Sequence, residues 1–262
     1  MKELISGTVF RTSAYSSGMS IKSAIAATLP PTDRSQRNAA KAVGAFYLIT
    51  SALAWFAEFH VRGTLIDYGS VARTVANINA HQPLFRFGLA CELLTFVCDL
   101  IIIVGLYVIL KPIDRTIALL GIACRIVETA VVAIMTLTTF DVLRLLNDAN
   151  YPKTFGPNGL QTMVGSALSA HDAGYNVAFL FYGVGSTAFA YLWFKSRYIP
   201  KTLALWGLFG SILTGASTFV YALSPHLAAV VEPTCFIPVG TFELILGFWL
   251  VLRGLPGTGR AD

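Results

Sequence analysis

Four ionisable residues lie near the middle of long apolar segments: Asp99, Arg125, Glu128 and Glu243. Each is about ten to thirteen residues from the basic cluster at one end of its segment, close to half of a hydrocarbon core of about 30 Å. A charge at that depth costs about 2.5 to 3.5 kcal/mol, so we expect these side chains to converge inside a helix bundle. Three acids then share one base, which calls for shared pairing, bound protons or a bound cation. We predict a ligand-binding cluster at the midplane.

The pair of charges in LLGIACRIVETAVVAIMTLTTF, residues 119–140, has two open interpretations. Arg125 and Glu128 are three residues apart and share a helix face, so they could form a local ion pair. That pair either holds helices together or belongs to a functional site. The same choice is open for Asp99 and Glu243, because an acid without its own partner at that depth indicates a functional site by default.

A second polar group lies towards the predicted outer face and would form a vestibule above the midplane cluster. Helical spacing puts Glu92 above Asp99, His171 above Tyr175, and Asp172 above Asn176. His171 and Asp172 are metal-ligand types, but no motif such as HExxH accompanies them, so the sequence assigns no metal. The predicted vestibule residues are Glu58, Arg86, Glu92, Asp141, His171, Asp172, Tyr175 and Asn176.

Membrane-spanning helices must position these residues. The chain of 262 residues is 55% hydrophobic and 13% charged, far below the roughly 25% charged residues of soluble domains. Its apolar residues come in blocks of about 20 or more, as a spanning helix requires. The sequence therefore predicts an all-α polytopic bundle of six transmembrane helices at 42–61, 84–110, 117–140, 174–194, 203–223 and 234–252.

Lysine and arginine are distributed unevenly between the two sides of this arrangement. Thirteen fall on the side that carries both termini and four on the other, with Arg86 and Arg125 left aside as embedded. By the positive-inside rule, both termini are predicted to lie in the cytoplasm of a multi-pass protein of the cell inner membrane. Basic residues in short clusters fit this topology signal better than a nucleic-acid surface, so we predict no nucleic-acid partner.

The segments outside the spans also have predicted roles. Residues 1–37 are rich in Ser and basic residues and are predicted to be a disordered cytoplasmic tail, followed by a membrane domain at 38–254 and a C-terminal tail at 255–262. Met19 is an alternative start. Between the first two spans, VARTVANIN after Ser70 predicts a short amphipathic helix on the outer surface. The third loop, NDANYPKTFGPNG, is predicted to be rich in turns, with helical pattern on both sides of it.

Several short motifs in order carry a resemblance to a known family: GAFYLITSALAWFAEFHVRG, ANINAHQPLFR, LYVILKPIDR, CRIVE, HDAGYNVAFLFYG, SRYIPKTLALWG and FELILGFWLVLRG. Over about residues 41–254 the chain resembles the bacterial membrane family catalogued as domain of unknown function 4386. The resemblance implies a multi-helix integral membrane protein of bacteria. It brings no activity, cofactor or catalytic residue with it.

Three functions remain open from the sequence. The first is binding or carrying a small molecule or ion through the midplane cluster. The second is an intramembrane metal-dependent enzyme that acts on a lipid or amphiphile. The third is a non-catalytic scaffold or sensor subunit whose buried charges serve assembly. The lipid bilayer is a predicted partner, and a small molecule or ion is a candidate ligand. The sequence assigns no cofactor, catalytic residue or oligomeric state, and it leaves open whether the chain is an enzyme.

Overall fold

The computed structural model describes residues 32–256, apart from the side chains of residues 225 and 228–233. Within this range the chain forms seven helices and no strand, which confirms the all-α prediction. The helices are α1 (Arg34–Leu65), α2 (Val71–Ala80), α3 (Gln82–Leu110), α4 (Arg115–Asn147), α5 (Asn150–Ser196), α6 (Lys201–Leu223) and α7 (Pro225–Leu252).

All helices except α2 are long and apolar enough to cross a membrane. In α7 the apolar part runs from Thr234 to Leu252. The six predicted spans are therefore confirmed within the described part of the chain, and the protein is a multi-pass membrane protein. The cytoplasmic placement of both termini stays a prediction.

The six long helices pack in a closed cyclic order: α1, α3, α4, α5, α6, α7 and back to α1. The seam between α3 and α4 is the most sparsely packed of the six. Because the order closes on itself, polar residues on the inner faces of several helices can meet in one interior.

The two ends of the bundle differ in their connections. One end carries α2 and is called the α2 end. The other carries the loops 111–114 and 197–200 and is called the basic end. Both described termini meet there, since the Thr32 hydroxyl donates to the carbonyl of Pro256 at 2.6 Å and the Gln36 side-chain amide donates to the carbonyl of Ile109 at 2.9 Å.

Capping side chains fix where the helices begin at the basic end. The Asp33 carboxylate accepts from the backbone N–H of Gln36 at 2.7 Å, and the Gln36 side chain accepts in return, a capping box. Asp114 caps α4 by accepting from the N–H groups of Ile117 and Thr116, each at 3.2 Å. These hydrogen bonds, that of Ile117 first, lower the pKa of the Asp114 carboxyl.

The described residues overlap the predicted tails at both termini. Most of the predicted tail at 1–37 lies outside the described residues, but its last residues belong to α1, because the capping box starts the helix at Arg34. At the other terminus Leu255, assigned to the C-terminal tail, is buried in the core at the basic end. Residues 257–262 lie outside the described residues.

The predicted surface helix is present as α2. Ser70 is its N-cap, and its hydroxyl accepts from the N–H of Arg73 at 3.3 Å. Thr74 and Ile78 form its buried face, whereas Val71 is exposed. Thr74 also ties α2 to the end of α1 by accepting from the N–H of Asp67 at 2.8 Å.

The third loop differs from its prediction. Instead of a turn-rich loop, α5 begins at Asn150, three residues after the end of α4. The helical path is interrupted only at Gly156, with φ 68° and ψ 172°, next to Pro157. A side chain at Gly156 would be strained in this conformation, and Pro157 is tolerated because it follows the break. The glycine and proline thus bend a helix here rather than form a loop.

Candidate functional site

Four helices bring the predicted midplane residues into one interior region, together with a tyrosine. The central cluster consists of Asp99 on α3, Arg125 and Glu128 on α4, Tyr182 on α5 and Glu243 on α7. Arg125 is 4% exposed and Glu128 is 8% exposed. Asp99 and Glu243 are half-buried, and Arg125 lies close enough to all three acids to interact with their charges.

Arg125 is the positive centre of this cluster. Its Nη1 lies 3.6 Å from Glu128 Oε2, one turn along α4. Its guanidinium stacks over the ring of Tyr182 at 4.3 Å from the centroid, a cation–π geometry. The Tyr182 hydroxyl then donates to Glu243 Oε1 at 2.7 Å, which links Arg125 on α4 to the acid on α7 through α5.

The remaining acid, Asp99, is half-buried and interacts electrostatically with Arg125, Glu128 and Glu243. Arg125 attracts it, whereas Glu128 and Glu243 repel it. If all four were ionised, the cluster would carry a net charge of −2, from three carboxylates and one guanidinium. Such an imbalance in an interior of low dielectric constant is costly and must be reduced by protons or by a cation.

A small cavity adjoins the cluster. Its walls include Arg125, Tyr182 and Glu243 together with Tyr47 and Phe242, and its volume is about 10 Å³. A volume of that order holds about one water molecule. Arg125 Nη1 is buried without a hydrogen-bond acceptor among the described residues, so a donor is available in this region.

A second polar cluster lies nearer the α2 end and joins three helices. This α2-end cluster consists of Glu58, Arg62, Glu92, His171, Asp172 and Tyr175. Arg62 Nη2 donates to Asp172 Oδ1 at 2.7 Å, while its Nε lies 3.5 Å from Glu58 Oε2. The contact with Asp172 holds α1 against α5, whereas the contact with Glu58 lies within α1.

His171 connects these residues to α3. It is 6% exposed. Its Nε2 lies 3.3 Å from Glu92 Oε1, and its Nδ1 lies 3.4 Å from Asp172 Oδ1. The hydroxyl of Tyr175, one turn further along α5, donates to the same Glu92 oxygen at 2.7 Å. A continuous run of polar groups therefore extends from Arg62 through His171 to Glu92.

The winding of α1 places Arg62 in this cluster. Residues Phe56–Arg62 form a π-helix, a rare geometry that often marks functional sites. Sequence reasoning left Arg62 out of the predicted site. Nothing in the local sequence indicates the wider turn that aims its side chain at Asp172.

Two predicted vestibule residues lie elsewhere. Arg86 is exposed and does not approach Glu92, which His171 and Tyr175 engage instead. Asp141 is exposed and pairs with Arg144 at 3.1 Å. Their helical positions put them on the outside of α3 and α4. The structure therefore does not bring these two predicted vestibule residues together with the others. Asn176 lies below the α2-end cluster, and its side-chain amide donates to the carbonyl of Asp172 at 3.2 Å.

Tyr182 is the residue of the central cluster that sequence reasoning missed. A signal was present, because it is seven residues after Tyr175, and that spacing places the two on the same helix face. Tyrosines at this interval along α5 connect one acid at each level, Glu92 above and Glu243 below.

Metal binding does not fit the α2-end cluster. Among the described residues no three His, Cys, Asp or Glu side chains are grouped in a way that could hold a metal ion. Asp172 is already neutralised by Arg62, and the guanidinium would repel a second cation at that oxygen. The candidate ligands His171 and Asp172 are thus occupied by protein contacts.

Comparison with known proteins places the chain in a family. Searches of curated proteins and of solved structures found no match. The sequence model of the family described as Domain of unknown function (DUF4386) matches residues 42–254, which include all six long apolar helices in whole or in large part. The chain therefore belongs to the DUF4386 family of membrane-helix proteins.

Proposed function

We propose that this protein binds and carries protons through the central cluster, with Asp99, Glu128 and Glu243 as the proton-binding groups. The observation that carries the proposal is the excess of three carboxylates over one arginine in the central cluster, where Arg125 and Glu128 are buried and Asp99 and Glu243 are half-buried. Within spanning helices, acids in such numbers are typical of proton and ion pathways.

The size of the interior supports a proton over an organic ligand. Pockets for small molecules have volumes of about 300 to 1,000 Å³. The cavity beside Arg125 and Glu243, at about 10 Å³, has room for about one water molecule. A water molecule there could accept a hydrogen bond from Arg125 Nη1, which has none to another described residue, and could connect it to Glu243 in the cavity wall.

The α2-end cluster supplies a route of access. Glu92 and Asp99 are seven residues apart on α3, two turns on one face, or about 10 Å along the axis. Above Glu92, His171 and Tyr175 provide groups that exchange protons, and the side chain of Asp172, in contact with His171, is 37% exposed. A proton entering at Asp172 would pass His171 and Glu92 before it reaches Asp99.

The fixed charge of Arg125 has a distinct part in this proposal. Because a guanidinium does not lose its proton in proteins, Arg125 stays positive while the acids change state. Its attraction limits how many protons the three carboxylates hold at once. Proton uptake by one acid therefore alters the others through Arg125, which gives the cluster a means to pass a proton on.

The test uses the purified protein in liposomes with a pH-sensitive dye inside and an imposed membrane potential. The wild-type protein is expected to let protons enter faster than protein-free liposomes do. Asp99→Asn and Glu243→Gln keep the side-chain shapes but remove the proton-binding groups, so each is expected to lower the rate to the protein-free level. Asp141→Asn is the matched control, because Asp141 is 53% exposed on the outside of α4 and lies away from the proposed path.

Two outcomes would contradict the proposal. One is proton entry that Asp99→Asn and Glu243→Gln leave at the wild-type rate. The other is a wild-type rate equal to that of protein-free liposomes, accompanied by lower stability in Arg125→Gln. The second outcome would favour a scaffold in which the buried charges serve assembly alone.

A further inference from the structure

We propose that the groove between α3 and α4 at the α2 end binds an anionic phospholipid, with its phosphate at Arg86 and Arg144. This site is separate from the proposed proton path. The groove has a volume of about 450 Å³ and opens to the outside of the bundle. It lies along the sparsest seam of the helix ring, where two neighbouring helices leave space between them.

The groove has a polar end and an apolar end. Arg86 lies near the start of α3 and Arg144 near the end of α4, so both are at the α2 end. Leu89 and Leu93 follow Arg86 towards the middle of the membrane, and Phe140 lies one turn below Arg144. Leu93 is 43% and Phe140 45% exposed, so the apolar part of the groove is open to a lipid chain.

The depth of these residues matches the depth of a lipid. Arg86 precedes Asp99 by thirteen residues, or about 20 Å along α3. Half of the hydrocarbon core is about 15 Å. With the central cluster at mid-depth, the guanidinium of Arg86 lies at the level of the head groups, whereas Leu93 lies among the acyl chains.

The charge of the groove selects an anionic head group. Arg86 has no carboxylate within 4 Å among the described side chains, and Arg144 has one, Asp141, at 3.1 Å. Two guanidiniums and one carboxylate leave the groove with a net positive charge. Arginine also binds phosphate oxygens through paired hydrogen bonds. A zwitterionic head group would bring its own ammonium close to these arginines, so phosphatidylglycerol is expected to bind better than phosphatidylcholine.

The experiment measures lipid retention by native mass spectrometry of the purified full-length protein. Phosphatidylglycerol and phosphatidylcholine with identical acyl chains are added in equal amounts, and the bound ratio is recorded. Arg86→Gln and Arg144→Gln are each expected to lower the preference for phosphatidylglycerol about fivefold, and the double variant roughly 25-fold. Ala90→Trp, which fills the groove, is expected to lower the binding of both lipids.

The matched control removes two charges from the same end of the bundle but outside the groove: Arg73→Gln with Lys153→Gln. Both residues are exposed, so the variant tests whether the positive charge of the whole surface, rather than the groove, attracts the anionic lipid. It is expected to keep the wild-type preference. The proposal fails if the control lowers the preference as much as the groove variant, or if the groove variant changes nothing. It also fails if Ala90→Trp dissociates a dimer and leaves lipid binding intact, because the groove would then be covered by a second copy of this chain.

Discussion

At the scale of single residues, Gly185 decides where Arg125 can lie. A Cβ atom built on Gly185 would lie 2.9 Å from Cγ of Arg125 and 3.0 Å from the carbonyl oxygen of Gly121. The carbonyl belongs to the backbone of α4 and cannot move alone. The missing side chain on α5 therefore gives space to the stem of the arginine on α4, and so to the whole central cluster.

We expect Gly185→Ala to destabilise the protein by about 1 to 3 kcal/mol, the usual cost of an extra methyl group in a packed interior. The change is also expected to reduce proton entry, since Arg125 must move. Gly240→Ala is the matched control, because a Cβ at Gly240 meets no described atom within 4 Å. Alanine also favours a helix over glycine, so the control should be neutral or stabilising.

Unfolding of both variants in mixed micelles with increasing denaturing detergent measures the difference. Equal free energies of unfolding for Gly185→Ala and the wild type would show that α4 and α5 are packed less closely than the structure has them.

At the scale of helices, the contact between the π-helical part of α1 and α5 rests on Arg62 and Asp172. Their side chains are 23% and 37% exposed, and the two atoms in contact are 2.7 Å apart. The exposed pair of Arg73 and Asp67 at the same end has a similar distance, 2.9 Å, but Arg73 is 70% exposed. The two pairs thus differ mainly in solvent access to the arginine.

A double-mutant cycle on each pair separates burial from distance. For Arg62→Gln and Asp172→Asn we expect a coupling free energy of about 1.5 to 3 kcal/mol, as for hydrogen bonds to charged groups. For Arg73→Gln and Asp67→Asn we expect about 0 to 1 kcal/mol, as for exposed ion pairs. Unfolding free energies of the four variants of each cycle supply both numbers. If the two couplings are equal, the π-helix does not bring Arg62 into a special environment.

At the scale of the whole molecule, the features that could be predicted from the sequence are those that depend on periodicity and on the cost of burying charge. Block length predicts the six spans, and the cost of placing Asp99, Arg125 and Glu243 in lipid predicts the central cluster. The exact partners do not depend on these rules alone. The arginine that completes the α2-end cluster is Arg62 rather than Arg86, because a π-helical turn changes its direction, and spacing along an ideal helix cannot show such a turn.

The predicted third loop illustrates the same limit of prediction from sequence. Gly156 and Pro157 are turn-forming residues, yet α5 continues past them, because a helix can accept a break when the rest of its length is packed against its neighbours. Local preference is a weak signal when tertiary contacts on both sides support the helix.

The orientation of the bundle is a prediction that the closed cyclic order makes simple to test. At the basic end, α1 and α6 begin and α7 ends, whereas α2 lies at the opposite end. Residues 34 and 201 must therefore face one side of the membrane and residue 73 the other. The basic residues Lys111, Lys195 and Lys201 at the first of these ends are exposed. The positive-inside rule places that end in the cytoplasm.

In intact cells, a maleimide that does not cross membranes should therefore label Arg73→Cys but neither Arg34→Cys nor Lys201→Cys, and all three should be labelled once the cells are opened. The native cysteines Cys91, Cys98 and Cys235 are buried and Cys124 is partly buried, so the unsubstituted protein is the control for background labelling. Labelling of residues 34 and 201 alone in intact cells would mean that the bundle is inverted. Labelling of residue 73 together with only one of them would be incompatible with the cyclic order itself, because the two ends of the bundle would then no longer be on opposite sides.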